Sequence, residues 1–417
     1  MARSRMTAAF DLIVFGATGF TGRLVAEYLH RLYGDGGNGG PGGPVRWALA
    51  GRQHDKLQQV RNAIGASPAL PLVVADATDE AALARLVGQT RVLITTVGPY
   101  QRHGQALASA CAQAGTDYVD LCGEPAWMAQ MIPLLDAPAR ASGARIVFSC
   151  GFDSVPFDLG VVFLQAEAQR RFGAPLAVVR GRVRRLRGGM SGGTMASALA
   201  TMDEAAHHPA TARTMADPFA LTPGFVGPAQ PDGEAAAYDD WAKSWTGPFM
   251  MATINTKNVH RTNALRGHPW GRDFLYDERL ITGPGRAGEW AARLLAGGTR
   301  VQHAVLGFGP ARALLGRVLR AQPGGGPGPA ARASGHYDLR FFGRTATGQA
   351  LAASVKGDSD PGYGSTSKIV SEAALCLLQD IPRSATGGGV WTPGAAMGLA
   401  LLRRLQAHAG LRFAIED

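Results

Sequence analysis

The fold of this chain is decided by residues 11–22, which read DLIVFGATGFTG. An apolar run leads directly into a Gly-x-x-Gly-x-x-Gly pattern, and apolar residues then recur at helical spacing over residues 23–32. A continuous apolar run is typical of a buried parallel strand, and glycines allow such a strand to turn straight into a helix. The stretch therefore predicts the first strand, turn and helix of an α/β domain.

Each glycine of the pattern has a physical task. Gly16 makes the turn possible, Gly19 lets a pyrophosphate approach the backbone, and Gly22 lets the helix pack closely on the strand. The start of the helix offers backbone N–H groups and the positive end of its dipole to a phosphate. Because the glycines follow a strand and open a helix, they predict a dinucleotide site. The residues expected at this turn are Gly16, Thr18, Gly19, Phe20, Thr21 and Gly22.

The end of the second predicted strand bears on which nicotinamide cofactor is used. Residues 45–50 form that strand, and Gly51 and Arg52 follow it. NAD-selective sites usually place a carboxylate here to accept the ribose 2′-hydroxyl, whereas an arginine accommodates a 2′-phosphate. Arg52 therefore favours NADP(H) over NAD, with a solvated surface arginine as the alternative.

Asp76 stands at the end of the third predicted strand, residues 70–76. At the carboxyl end of a parallel strand it would lie where an adenine contact is expected. It could equally cap the helix predicted over residues 79–87. Both interpretations stay open from the sequence.

The fourth predicted strand, residues 91–97, leads towards the nicotinamide end of the cofactor, since ligands lie outside the strand carboxyl ends at the switch point. Tyr100 comes just past it and could supply a proton, with packing over the turn as its alternative. The residues expected beside the cofactor here are Thr96, Val97, Gly98 and Pro99.

Six predicted strands alternate with helices up to residue 150, and this rhythm indicates a doubly wound parallel sheet with right-handed crossovers. Beyond it, residues 207–276 show no clear periodicity. Residues 337–342 and 350–355 alternate like an antiparallel hairpin. We therefore expect an α/β fold that contains a second, differently built domain.

Composition and charge restrict the class of protein. The 417 residues are 46% hydrophobic and 18% charged, which is typical of a globular chain. The formal net charge of +10 fits nucleic acid, an acidic membrane surface or anionic substrates. Apart from a cluster of arginines in residues 180–187, the basic residues are scattered, and helix-turn-helix and zinc-finger patterns are absent. We expect a small-molecule substrate and no nucleic-acid partner.

The cysteines and histidines give no sign of a disulfide or a metal site. No Cys-x-x-Cys pair and no His-Glu-x-x-His motif occurs, so we expect no metal and the reduced thiols of a cytoplasmic protein. Residues 1–10 are too short and polar for a signal peptide. No uncharged apolar run reaches the roughly 18 residues that a membrane span needs, so no transmembrane segment is predicted.

Other catalytic signatures are absent or weak. No tyrosine has a lysine four positions later, as short-chain dehydrogenases require, and no Gly-Lys-Ser/Thr P-loop occurs. Residues 189–193, GMSGG, match the hydrolase elbow in form, but a nucleotide fold before them is wrong for a hydrolase. Hydride transfer needs little from a protein beyond positioning and a proton donor, because the cofactor carries the chemistry.

Taken together, these stretches resemble the saccharopine dehydrogenase-like oxidoreductases, especially their trans-acting enoyl reductase branch. The motifs that carry the resemblance are VFGATGFTG at residues 14–22, AGR at 50–52, VGPY at 97–100, TDYVD at 116–120, GE at 123–124, CGFDS at 150–154, SGGT at 191–194, GD at 357–358, PGY at 361–363 and TPGAAMG at 392–398. Each motif is weak alone, but their joint order along nearly the whole chain is specific.

The resemblance implies an NADP(H)-dependent reductase. Its Rossmann domain would be residues 1–152, its α+β substrate and oligomerisation domain residues 153–356, and residues 357–417 would be C-terminal helices that return to the Rossmann domain. Members of this branch are associated with reducing enoyl thioesters made by polyketide synthases. The implied reaction is therefore hydride transfer to a C=C bond of an acyl-type apolar substrate. A homodimer and a peripheral contact with lipid are compatible with this interpretation.

Two other functions stay open from the sequence alone. A saccharopine-type enzyme would be an amino-acid dehydrogenase, although the lysine-forming enzymes resemble this chain mainly in the nucleotide domain. A non-catalytic NADP-binding scaffold or lipid-surface protein is the other alternative, because the sequence compels no catalytic residue.

Overall fold

The computed structural model describes residues 8–35, 39–188, 192–307 and 326–416. The chain divides into two compact units, each made of several segments. The first unit comprises residues 1–122, 130–151 and 366–391, and the second comprises residues 123–129, 152–365 and 392–417. The domain boundaries expected at residues 152 and 356 stay a prediction.

Strands and helices alternate through the first 150 residues. In chain order these elements are β1 (Phe10–Phe15), α1 (Phe20–Tyr33), β2 (Trp47–Gly51), α2 (His54–Ala63), β3 (Leu72–Val74), α3 (Glu80–Gly88), β4 (Thr90–Thr95), α4 (Tyr100–His103), α5 (Gln105–Ala114), β5 (Asp117–Val119), α6 (Pro125–Ser142) and β6 (Arg145–Val147). In the glycine-rich loop after α1, a short ladder pairs Gly39–Gly40 with Gly43–Pro44.

The rest of the chain supplies longer strands and more varied helices. In order they are α7 (Val155–Phe172), β7 (Leu176–Arg187), α8 (Gly192–His207), α9 (Pro209–Ala216), β8 (Ala237–Asp239), β9 (Ser244–Pro248), α10 (Ala252–Leu265), β10 (Leu275–Gly283), α11 (Gly285–Gly307), α12 (Pro329–Ser334), β11 (His336–Thr345), β12 (Ala350–Gly357), α13 (Thr366–Leu375), β13 (Gly389–Trp391), α14 (Pro393–Ala396), α15 (Gly398–His408) and β14 (Leu411–Glu416). Residues 189–191 of the hydrolase-like motif lie outside the described residues.

The first unit is built on a seven-stranded sheet in the order β13-β6-β5-β4-β1-β2-β3, with every pair parallel. Its centre is β1, where Leu12, Ile13 and Val14 are fully buried. The chain winds outward from β1 in one direction and from β4 in the other, so the switch point lies between these two strands. The predicted doubly wound parallel sheet is confirmed, with β13 as a seventh strand that the sequence analysis did not predict.

Helix α13 belongs to the first unit although it follows β12 in the chain. Its Glu372 is completely buried and accepts a hydrogen bond of 2.6 Å from the hydroxyl of Tyr28 on α1. A buried carboxylate paired in this way attaches α13 firmly to the first helix of the unit. Helices α14 and α15 and strand β14 belong to the second unit.

The second unit contains a mixed seven-stranded sheet in the order β8-β9-β10-β7-β11-β12-β14. Strands β7 and β10 run parallel, and the other neighbouring pairs are antiparallel. The predicted hairpin is confirmed as β11 and β12, which pair from Tyr337 opposite Gly357 to Arg344 opposite Ala350. The predicted α/β fold, with a second part built differently from the first, is therefore confirmed.

Helix α10 lies in the region where the sequence shows no periodicity. Its buried side chains include many polar ones, namely Asn255, Lys257, Asn258, His260, Arg261, Thr262 and Asn263. A helix that is polar on its buried face lacks the apolar stripe that marks amphipathic helices in a sequence. This composition is why the pattern of residues 207–276 did not predict it.

Candidate functional site

The turn after β1 lies at the switch point of the parallel sheet. Gly16 adopts a φ of +88°, in the left-handed region that favours glycine. A Cβ on Gly16 would lie 2.7 Å from Val97 Cγ2 and 2.8 Å from Thr96 Oγ1. The position therefore requires glycine for its backbone conformation and for the close approach of the loop after β4.

Gly22 brings α1 directly against this turn. A Cβ on Gly22 would lie 2.2 Å from the carbonyl oxygen of Gly16 and 2.9 Å from Ala17 Cα, which is closer than atoms can approach. Gly19 holds the N-cap position, is exposed, and donates its N–H to Gly16 O at 3.0 Å. The first turn of α1 carries no acidic side chain. No negative side chain therefore opposes the positive dipole end of the helix, which suits a phosphate.

The loop after β4 is tied to the same turn by hydrogen bonds. Thr96 donates its N–H to Phe15 O at 3.0 Å and its hydroxyl to Gly16 O at 3.2 Å. The hydroxyl of Thr95 accepts from the N–H of Val97 at 3.3 Å. The structure therefore brings Thr96 and Val97 beside Gly16, as their positions in the sequence predict.

Tyr100 opens α4 immediately after the cis Gly98–Pro99 peptide bond. Its side chain is only 5% exposed. The hydroxyl donates to Thr95 O at 3.2 Å and accepts from the N–H of Leu121 at 3.0 Å. The backbone thus engages the hydroxyl on both sides, which is what the packing alternative requires. The role of Tyr100 as a proton donor stays a prediction.

Arg52 and Asp76 follow the neighbouring parallel strands β2 and β3. The Arg52 side chain is exposed and forms no ion pair or hydrogen bond with the residues that the structure describes. Asp76 Oδ1 accepts from both the N–H and the hydroxyl of Thr78, at 2.9 and 2.8 Å. These bonds, with a smaller contribution from the charge of Arg52, lower the pKa of the Asp76 carboxyl. The Arg52 guanidinium is left available for an external anion.

The capping alternative for Asp76 is wrong. The N-cap of α3 is Asp79, whose Oδ1 accepts from the N–H of Ala82 at 2.9 Å. Both residues are aspartates close to the helix start, and only the backbone conformation decides which of them reaches the first turn. An adenine contact of Asp76 stays a prediction.

A buried polar cluster holds the ends of β5 and β6 together. Asp120 accepts from the hydroxyl of Tyr118 at 2.9 Å and from the N–H groups of Cys122 and Ser149 at 3.0 and 2.9 Å. Burial, and then the charge of Asp120, raise the pKa of Tyr118 well above its ordinary value. Ser149 has a φ of +60° and donates its hydroxyl to Cys122 O at 2.6 Å. These hydrogen bonds hold the carboxyl ends of β5 and β6 together at the edge of the sheet.

The sequence analysis missed the buried titratable groups of the second unit. Glu278 on β10 accepts from the hydroxyl of Tyr276 at 2.7 Å and from Asn255 Nδ2 at 2.9 Å. Burial raises the pKa of Glu278 to about 8. On α10, burial lowers the pKa of Lys257 to about 8 and that of His260 to about 3. For Lys257 and His260 the signal in the sequence was a polar segment without periodicity, and Glu278 lies just beyond that segment.

Within the described ranges, no group of histidine, cysteine and carboxylate side chains could hold a metal ion. No helix in that part of the chain has the length and apolar character needed to cross a bilayer.

Comparison with known proteins adds two kinds of likeness. Residues 12–147 match the family described as the saccharopine dehydrogenase NADP binding domain. The chain is 40% identical over 415 residues to a Mycobacterium tuberculosis protein assigned to the trans-acting enoyl reductases, with 95% of this chain and 96% of that protein covered. It is 37% identical over 416 residues to the trans-acting enoyl reductase of Mycobacterium leprae, with 95% of each covered.

Among solved structures, the saccharopine dehydrogenase (L-Glu forming) of Saccharomyces cerevisiae matches 98% of this chain and 100% of its own chain. The TM-score is 0.53 and the sequence identity 11%, so this likeness shows a common fold and nothing about substrate.

Proposed function

This chain belongs to the saccharopine dehydrogenase-like oxidoreductases, in the branch of the trans-acting enoyl reductases, and from that membership we propose that it reduces the C=C bond of an enoyl thioester or a related apolar acyl substrate. It is an NADP-dependent oxidoreductase, and NADP(H) is its cofactor. The observation that carries the proposal is the extent of the likeness to the enoyl reductases, which includes the second unit as well as the nucleotide unit.

The residues of the first unit fit NADP(H). The N–H groups at the start of α1 would hold the diphosphate, because Gly19 adds no side chain there and Gly22 keeps the helix against the turn. Arg52 would hold the 2′-phosphate through charge-assisted hydrogen bonds. When bound, the cofactor supplies the hydride. The other positions that we propose at this site are Gly16, Thr18, Phe20, Thr21, Asp76, Thr96, Val97, Gly98 and Pro99.

The proton that completes the reduction must come from a side chain or from water. We propose Tyr100 as the donor because it follows the strand at the switch point. Its hydroxyl donates to Thr95 O, so that bond would have to be exchanged for one to the substrate. Catalytic hydrogen bonds in ligand-free structures often take their reactive arrangement only in the substrate complex.

Turnover of a 2-enoyl thioester tests the reaction. With crotonyl-coenzyme A or a long-chain 2-enoyl-coenzyme A, the protein should consume NADPH and form one saturated thioester per NADPH, measured by absorbance and mass spectrometry. A folded protein that binds NADPH but reduces no enoyl thioester would contradict the proposal. Amine-dependent reduction of a 2-oxo acid would identify a saccharopine-type dehydrogenase instead.

The same assay tests the proton donor through Tyr100→Phe. If Tyr100 donates the proton, kcat should fall by about 100-fold or more while the KM for NADPH stays within about twofold. If the hydroxyl only joins Thr95 to Leu121, kcat should change little and the melting temperature should fall by a few degrees. The second result would remove Tyr100 from the mechanism and leave the reductase proposal standing.

A further inference from the structure

A concave site lies in the second unit, beside the C-terminal end of α10. It is a cavity of about 320 Å³, and its wall includes Arg261, His268 and Arg272 together with Phe225 and Thr222. None of the residues that line it carries a carboxylate. A concave surface with two guanidinium groups and no acid concentrates positive potential and attracts anions.

His268 holds its place in this wall with a strained backbone. Its φ is +59°, in the left-handed region that residues other than glycine adopt only at a cost in free energy. The conformation is held by hydrogen bonds from its N–H to Asn263 O at 2.8 Å and from the N–H of Gly271 to its carbonyl at 3.0 Å. Strain of this kind concentrates at ligand sites, where it orients a side chain.

Two polar atoms of the same wall are buried without a partner. His268 Nδ1 and Thr222 Oγ1 make no hydrogen bond to any residue in the described part of the chain. Burial, and then the charge of Arg272, lower the pKa of His268, so the imidazole is neutral at physiological pH and carries one proton on its ring nitrogens. Buried polar groups are normally satisfied, so these two atoms are open to a partner from outside the chain, either water or a ligand.

The two guanidinium groups are placed differently. Arg261 is only 5% exposed, and its Nη1 donates to Leu221 O at 2.5 Å, which fixes the group in the wall. Arg272 is exposed, lies 4.8 Å from the centroid of the Phe225 ring, and forms no ion pair with the described residues. The imidazole of His268 lies 4.5 Å from the same ring. The Phe225 ring therefore packs against both side chains without occupying their hydrogen bonds.

We propose that this cavity binds a tetrahedral oxyanion of the phosphate monoester type. A guanidinium recognises phosphate through paired N–H donors, and the imidazole and the Thr222 hydroxyl add donors in other directions. A planar carboxylate offers two oxygens to this set, whereas a phosphate monoester offers three. Free phosphate and 4′-phosphopantetheine, which is a phosphate monoester, share this chemistry. The site lies in the other unit from the glycine turn, and the inference does not rest on the proposed reaction.

Calorimetric titration of the full chain tests this site. Inorganic phosphate, 4′-phosphopantetheine and acetate are titrated in turn, with saturating NADP⁺ present so that the 2′-phosphate site at Arg52 is occupied. We expect phosphate to bind at least about tenfold more tightly than acetate. Tighter binding of phosphopantetheine than of phosphate would identify a phosphomonoester with an organic arm as the ligand, and equal binding would identify free phosphate.

Two variants and a matched control assign the binding to the cavity. Arg272→Gln, an exposed position that should not affect folding, should weaken phosphate binding by about tenfold or more, and Thr222→Val by about threefold or more. Arg266→Gln removes an exposed arginine from the end of α10 that does not line the cavity, and it should change the affinity by less than about twofold.

Three results would overturn the proposal. They are the absence of phosphate binding to the unaltered protein, acetate binding as tight as phosphate binding, and an equal loss in Arg266→Gln and Arg272→Gln. NADP⁺ affinity is measured separately on the same samples. If NADP⁺ does not bind, the titration is repeated in an Arg52→Gln background, so failure of the reductase proposal cannot be mistaken for failure of this site.

Discussion

The glycine turn at residues 16–22 and helix α10 differ in which residues determine their structure. In the turn, one added carbon at Gly22 would strike the carbonyl oxygen of Gly16, six residues away, so the requirement is local. In α10, Asn255 is satisfied by Ser154 and Glu278, which come from distant parts of the chain. Local backbone constraints are therefore visible in a sequence, whereas a buried polar helix is explained only by the fold around it.

The largest effect is expected from Gly22→Ala. Alanine is favoured over glycine inside a helix by up to about 1 kcal/mol, so any loss of NADPH affinity must come from the clash with Gly16. Because its Cβ would lie 2.2 Å from Gly16 O, the turn must open, and NADPH affinity should fall by about 100-fold or more. The control is Gly88→Ala, since a Cβ there meets nothing within 4 Å. NADPH titration that gives equal affinities for the two variants would contradict the local account of the turn.

Asn255→Leu tests the other side of the comparison. Leucine leaves Glu278 Oε2 without the 2.9 Å hydrogen bond from the amide, so the melting temperature should fall by roughly 5–10 °C. Thr256→Val is the matched control on the same helix, because among the described residues that hydroxyl bonds only to Ala252 O, at 2.7 Å. It should lower the melting temperature by less than about 3 °C. A smaller loss for Asn255→Leu than for Thr256→Val would show that the polar contacts do not hold α10.

Glu278→Gln tests the burial of the same polar groups through the pH dependence of the melting temperature. The folded-state pKa of Glu278 is about 8 against an ordinary 4.5, so the folded state keeps a proton that the unfolded state loses between these values. The unaltered protein should therefore lose stability as pH rises from about 5 to 8, whereas glutamine does not titrate. The melting temperature of the variant minus that of the unaltered protein should rise by roughly 5 °C over this range. A difference independent of pH would contradict the raised pKa.

The smallest effect is expected from Asp76→Asn. The carboxylate of Asp76 is engaged by Thr78, so its loss should change the KM for NADPH by less than about threefold. Asp55→Asn, an exposed carboxylate on α2, is the control and should change the KM no further. A change of tenfold or more at Asp76 alone would mean that the adenine contact dominates its role.

The comparison also explains how much of the fold could be predicted. Strands β1 to β6 lie where apolar runs predicted them, because buried parallel strands carry their signal in their own residues. Strand β13 is only Gly389–Trp391, and it exists because Val390 pairs with Ile146 on β6. Residues 387–394 read GGGVWTPG and contain no apolar run, so the neighbouring strand determines this one.

The candidate site also contains features that the sequence predicts and features that only the fold explains. The bend at Gly16 and the approach of Thr96 follow from the glycine pattern and from parallel strand order. The cap of α3 could not be assigned, because Asp76 and Asp79 are chemically alike and only geometry separates them. The cavity beside α10 joins Thr222 to His268 through the fold, and no spacing in the sequence marks that pair.

The central claim is that the glycine turn holds NADP(H) and that Arg52 meets its 2′-phosphate. Equilibrium titration of NADPH and NADH against the unaltered protein, Arg52→Gln and Arg85→Gln tests it most directly, since Arg85 is an exposed arginine on α3 of the same unit. We expect the unaltered protein to bind NADPH more tightly than NADH. Arg52→Gln should reduce that preference by about tenfold or more and leave the affinity for NADH unchanged. Arg85→Gln should leave both affinities unchanged. Equal affinities of the unaltered protein for NADPH and NADH, or a preference that survives in Arg52→Gln, would contradict the claim.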